Sequence, residues 1–167
     1  MKHDAILRKR IRILIVGFII GLVLSGITAF PLRWETELLA KWFGATSASM
    51  PENTTGLLHW LVTVRNGLAD TYSRHPYIAY GTDWLAFGHI IIALAFIGPL
   101  RDPVRNIWVI EFGMIACVLV IPLALICGPI RGIPFYWRLI DCSFGVVGIV
   151  PLWVCRRYIS RLAKATN

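Results

Sequence analysis

The sequence predicts an all-α, polytopic membrane protein: a four-transmembrane-helix bundle with two amphipathic helices on its outer (periplasmic) face. Three observations predict it. Four long apolar stretches cover about 13–30, 83–100, 107–127 and 139–155. Each is close to the ~20 residues that cross a ~30 Å hydrocarbon core at ~1.5 Å per residue. The chain is 57% hydrophobic and 16% charged, with mean hydropathy +0.67, whereas soluble domains are about one quarter charged. The basic residues also flank the spans unequally. Eleven of them lie before the first span, between the second and third, and after the fourth. The other six, Arg33, Lys41, Arg65, Arg74, Arg131 and Arg138, are spread over the intervening segments. Positive-inside asymmetry then places both termini in the cytoplasm of a cell inner membrane. The 167 residues make one membrane domain, 1–167, with 32–80 as its extramembrane segment.

Residues 1–12 form a cationic cytoplasmic lead that includes Lys2. The first span is too long for a signal-peptide core and lacks a clean small-residue cleavage site, so it is expected to remain as a helix. Gly17 and Gly21 at i, i+4 give it close-packing spacing. Residues 32–43 place Trp34, Leu38 and Trp42 on one stripe, beside Leu39 and Phe43, with Glu37 and Lys41 paired elsewhere. Ala45 to Gly56 reads as a linker. A second amphipathic helix, about Thr55 to Ser73, puts Leu57, Leu61, Val64, Leu68 and Tyr72 on its apolar face and Arg65, Asn66 and Asp70 mostly off it. The two helices either lie in the headgroup plane as a partial lid or pack on each other as a small outer hairpin.

Thr82 and Asp83 open the second span, where an acidic residue complements the helix dipole. Pro122 is expected to kink the third span. Residues 128–134 form a tight outer loop, and Phe135, Tyr136 and Trp137 an interfacial aromatic anchor. Cys127 and Cys142 both lie toward the outer side, so a disulfide between them is geometrically open, although Cys142 falls about a turn inside its helix.

Ionisable residues inside spans are costly and mark candidate function. Asp83, His89, Arg138 and Asp141 fall in the outer leaflet if successive spans alternate direction. Asp83, His89 and Asp141 are the candidate catalytic groups, for acid–base work. Arg138, Arg131 and Thr82 are the candidate substrate-binding groups, with the guanidinium recognising an anionic headgroup. Arg138, Asp141, Gly145 and Gly148 make one stripe on the fourth span, and the bland reading of the first two is an intrahelical ion pair. Glu111 is expected near the inner surface, snorkelling or pairing with Arg105. No metal site and no cofactor are expected; a haem or metal reading would need His89 with His59 or His75.

These positions resemble VanZ-like membrane proteins, which share four helices, an early Asp and His in the second span, an acidic residue associated with the third, and Arg then Asp followed by spaced small residues in the fourth. The counterparts here are Asp83, His89, Glu111, Arg138, Asp141, Gly145 and Gly148. The Asp–His spacing is six, and Gly145 stands where that family has asparagine. The resemblance covers spans two to four and implies lipid or envelope-glycan headgroup binding or chemistry. Leu139 to Cys142 is similar to the fourth-span aspartate motif of prolipoprotein signal peptidases, but that family's other motifs are missing. Quinone-linked disulfide oxidases are excluded because 31–80 contains no cysteine.

The function expected is binding or processing of an amphipathic substrate, such as a lipid headgroup, in an outer-leaflet polar pocket. The alternative is a non-enzymatic scaffold or accessory subunit whose intramembrane polar residues are structural. The expected partners are membrane lipids, or, on the alternative, another membrane protein or a second copy of the chain. Nucleic acid is not among them, since the basic residues flank helices rather than form a basic, aromatic-studded surface.

Overall fold

The computed structural model describes residues 2–46 and 48–166. Ser47 of the expected linker lies outside the described residues, as does the side chain of Lys2 in the basic lead. The helices are α1 (Lys2–Ala29), α2 (Leu32–Trp42), α3 (Gly56–Arg74), α4 (Ala79–Ala95), α5 (Ile97–Arg101), α6 (Ile107–Ile130) and α7 (Phe135–Thr166). Short 3-10 turns cover Pro51–Asn53 and Pro76–Ile78, and no strand occurs among the described residues. Four stretches among those residues are long and apolar enough to cross a membrane: Asp4–Ala29, Pro76–Arg101, Ile107–Ile130 and Phe135–Ala165.

The helices overrun the expected spans for local reasons. The basic lead is the first part of α1, and the basic tail is the last part of α7. The second span starts at the Pro76 turn, so Asp83 sits one turn inside α4 rather than in its first turn. Pro99 cannot donate to the Ala95 carbonyl, and the chain breaks at Phe96 between α4 and α5. By contrast, α6 continues as one helix through Pro122 and Pro129 to Ile130. Its terminator is Gly132, at φ +68°, in a Schellman end: Ile133 N–H donates to Gly128 O at 2.9 Å and Gly132 N–H to Pro129 O at 3.1 Å. The α6–α7 turn is therefore shorter than the expected 128–134 loop. Helix α2 ends the same way at Gly44, φ +92°, with Ala45 N–H on Ala40 O and Gly44 N–H on Lys41 O.

The described chain divides into two compact units. The first comprises the chain up to Leu22 and from Ile91 onward. Its buried cluster is Ile11, Ile15, Phe96, Val109, Ile110, Leu152, Cys155, Ile159 and Leu162, with the Phe18 and Phe96 rings 4.8 Å apart. This core lies at the basic end of the helices, not at their apolar middles. Leu119, Leu123 and Val147, in those middles, point outward. The hydrophobic effect drives burial only where water competes, and within a hydrocarbon phase apolar side chains gain nothing from leaving the surface. Helices α6 and α7 pack closely because Gly145 and Gly148 present no side chain. A Cβ on Gly145 would strike the Cys117 carbonyl, and one on Gly148 would meet Cys117 Sγ at 2.9 Å. Gly17 and Gly21 are not used this way: a Cβ on either meets nothing within 4 Å.

The second unit is Val23–Ile90. Here α2 and α3 pack on each other as a hairpin. The α2 face that is buried is Thr36 and Ala40, not the tryptophan stripe; Trp34 is 65% exposed and Trp42 75%. On α3 the buried stripe is Leu61, Val62 and Arg65, rotated from the expected apolar face. Arg65 is only 8% exposed. Its guanidinium donates to Thr46 O at 2.9 Å, Ser49 O at 2.8 Å and Asn66 Oδ1 at 3.1 Å. A buried arginine thus fixes the α2–α3 loop through two backbone carbonyls, each of which needs a donor when withdrawn from water. Gly26 of α1 lets α4 approach closely, since a Cβ there would meet Ala86 O at 2.9 Å and His89 Cβ at 3.2 Å.

Candidate functional site

Arg138 is the most unusual charged group in the chain. It lies in the first turn of α7, immediately after the Gly132 turn, and its half-buried side chain lies across Gly128 of α6. A Cβ on Gly128 would collide with Arg138 Cδ. The missing side chain at 128 is the slot that holds the arginine stem. The guanidinium carbon stands 5.1 Å from the centre of the Phe135 ring, within cation–π range. The Nε is buried and has no hydrogen-bond partner among the described residues. The expected ion pair with Asp141 does not form there either, so the bland i, i+3 reading fails. Asp141 is half-buried one turn further along α7. A guanidinium held in place by packing, without an anionic partner among the described residues, is preorganised for an external acceptor.

Arg131 closes the end of α6 with its backbone N–H, on Cys127 O and Gly128 O, and its side chain is exposed. Glu111 does not pair with Arg105: Oε1 accepts from Arg156 Nε of α7 at 2.8 Å. Arg105 instead gives its backbone N–H to Asp102 Oδ1 at 3.1 Å. Cys117, Cys127, Cys142 and Cys155 are all free thiols, so Cys127 and Cys142 are not bridged.

In the second unit, Thr82, Asp83 and His89 all lie on α4 and are half-buried. Thr82 Oγ1 donates to Ala79 O at 2.7 Å and lies 3.5 Å from the Tyr72 hydroxyl of α3. His89 Nδ1–H donates to Leu85 O at 2.8 Å, which leaves Nε2 as the free ring nitrogen of the neutral form. Asp83 accepts no hydrogen bond and forms no ion pair among the described residues. His59 Nδ1–H holds Pro51 O at 2.9 Å. No group of three or more His, Cys, Asp or Glu gathers for a metal ion among the described residues.

An open cleft of about 370 Å³ in this unit is bordered by Phe30, Pro31, Arg33, Trp34, Glu37 and Tyr72. Glu37 is committed to Lys41 at 3.0 Å. That hydrogen bond and the ammonium charge hold its carboxyl below the usual carboxylate range. The expected i, i+4 pair is therefore formed.

Gly128, Arg65 and Tyr72 acquire their roles only in the folded chain. Gly128 could have been noticed as a glycine ten residues before an arginine at the start of an apolar helix, across a turn short enough to make the two helices antiparallel.

No family model, no curated protein and no solved structure matches this chain. The class is defined by the chain itself: an all-helical protein with four helices of membrane-crossing length and apolarity among its described residues.

Proposed function

We propose that this is a multi-pass inner-membrane protein, with both termini cytoplasmic, that binds the anionic headgroup of an amphipathic substrate such as a lipid at the outer α6–α7 turn. The observation that carries this reading is the Arg138 guanidinium, seated over Gly128 and stacked near Phe135, with a buried Nε that no acceptor in the described chain satisfies. An unpaired buried donor is costly, and a phosphate oxygen would satisfy it with a charge-assisted bond. Asp141, one turn along and free of the arginine, is placed to position a hydroxyl or water of the bound molecule if the substrate is processed. The exposed Trp34 and Trp42 of α2 support a headgroup-level position for the outer hairpin. The basic asymmetry supports the orientation. The VanZ-like resemblance points to the same headgroup chemistry.

Native mass spectrometry of the detergent-solubilised protein with phospholipid tests the reading. Arg138→Ala should lower the number of phospholipids retained by one while the protein stays folded, and an unchanged number rejects it. Reporter fusions at the two ends should both report the cytoplasm; opposite reports reject the orientation.

The second reading is a scaffold or accessory subunit. It is favoured by the open Gly17 and Gly21 face of α1, which no part of the described chain fills. A stoichiometric partner that copurifies, and is lost on Gly21→Leu, would establish it.

A further inference from the structure

We infer that a separate phosphoryl-recognising site lies at the basic end of the first unit, where Arg8 and Arg12 of α1 and Arg101 of α5 converge on one small pocket. The pocket is about 40 Å³, and its apolar wall includes Ile11, Pro99 and Pro103, all buried. That is room for about three water-sized groups at ~10–15 Å³ each, which suits the oxygens of one phosphoryl group and no acyl chain.

Three other arginines of this unit are engaged. Arg156 holds Glu111, Arg10 stands 5.8 Å from the Tyr158 ring centre, and Arg157 stacks 3.7 Å from that of Trp153. Arg8, Arg12 and Arg101 make no such contact among the described residues. The acid next in sequence, Asp102, turns its Oδ1 to the Arg105 backbone N–H. Like charges at i, i+4 on one helix repel, and a third cation on the same pocket adds to that. An anion with several acceptor oxygens reverses the sign of all three interactions, and the arginine fork matches a phosphate edge. Pro99 and Pro103, both buried, restrict the backbone on either side of Arg101, while the three arginine side chains are exposed and open to a ligand.

The ligand is a phosphoryl-bearing anion, carried either by an anionic phospholipid of the inner leaflet or by a soluble polyphosphate. The test uses the full chain in detergent and native mass spectrometry, with phosphatidylglycerol, phosphatidylcholine and inorganic pyrophosphate as probes. All variants are made in an Arg138→Ala background to silence the other site. Phosphatidylglycerol should be retained over phosphatidylcholine. Arg8→Gln, Arg12→Gln and Arg101→Gln should each weaken retention about fivefold, the ratio that ~1 kcal/mol per cation near an anionic surface converts to. Arg105→Gln, outside the pocket, should cost less than about twofold. Arg12→Lys, which keeps the charge, should retain most of the binding and shows that Arg12→Gln losses are not misfolding. Pyrophosphate binding that is lost in the same three variants, without a phosphatidylglycerol preference, assigns the site to the soluble source. If Arg105→Gln costs as much as Arg101→Gln, or if neither anion discriminates wild type from the three variants, the pocket is not a site and the inference falls.

Discussion

Adding one methyl group to each of three glycines gives a graded test of how α6 and α7 hold together. In Gly145→Ala the new Cβ lands on the Cys117 carbonyl, a backbone atom that cannot rotate away. Helix α6 must retreat by roughly an ångström, and a gap of that size forfeits about a quarter to a half of each dispersion contact along the seam. Overpacking of this kind costs about 1–3 kcal/mol. In Gly148→Ala the obstacle is Cys117 Sγ at 2.9 Å, the tip of a side chain, so the cost should fall below ~1 kcal/mol. Gly17→Ala meets nothing within 4 Å and should be neutral or slightly stabilising through helix propensity. Thermal unfolding in detergent reads the order, at about 2–4 °C per kcal/mol for a chain of this size. Cys117→Ala completes the series. It removes Sγ and should relieve Gly148→Ala, giving a non-additive pair, but it cannot relieve Gly145→Ala, because the carbonyl remains. If Gly145→Ala is no worse than Gly17→Ala, or if Cys117→Ala rescues both glycine variants equally, the helices do not meet along Cys117 as described.

Three further outcomes are expected. Arg65→Met should open the loop after α2 rather than unfold the chain, because Thr46 O and Ser49 O lose their donor. A loss of about 1.5–3 kcal/mol corresponds to amide exchange ~10- to 100-fold faster at 48–50, and unchanged exchange would refute it. A double-mutant cycle on Glu111 and Arg156, whose side chains are 43% and 47% exposed, should give a coupling of no more than ~1 kcal/mol; a coupling of ~3 kcal/mol or more would refute the exposed geometry of the pair. Glu37 has a folded value below its ordinary 4.5, so its pairing with Lys41 stabilises α2 above that pH and is lost as the pH falls through the lowered value. An NMR titration should show the carboxyl returning to its ordinary range in Lys41→Ala, and an unchanged midpoint would refute the pairing.

How much was legible in advance follows from how local each signal is. The four spans depend on composition over about twenty residues, so they could be read directly, as could α2, α3 and the Glu37–Lys41 pair, whose partners are one helical turn apart. Which face of a short amphipathic helix turns inward depends on what packs against it. That is why Thr36 and Ala40 are the buried residues of α2, and why Arg65, assigned to the polar face, proved buried. The end of α2 before Gly44 was read to within a residue, but the end of α6 before Gly132 was misplaced. Gly128 and Gly132 are indistinguishable as letters, yet one ends a helix and the other makes room for an arginine.

The sequence by itself determined that the chain is helical with four segments long and apolar enough to cross a membrane, and which charged residues fall within or beside those segments, because length and composition act on each segment independently of the others. Only the tertiary structure decided their partners. Arg138 leaves Asp141 for the slot above Gly128, Glu111 reaches Arg156 rather than Arg105, and Cys127 and Cys142 stay apart. Those choices are set by how closely two backbones approach, within an ångström or two, and that distance is a property of the packed helix pair and not of either helix alone.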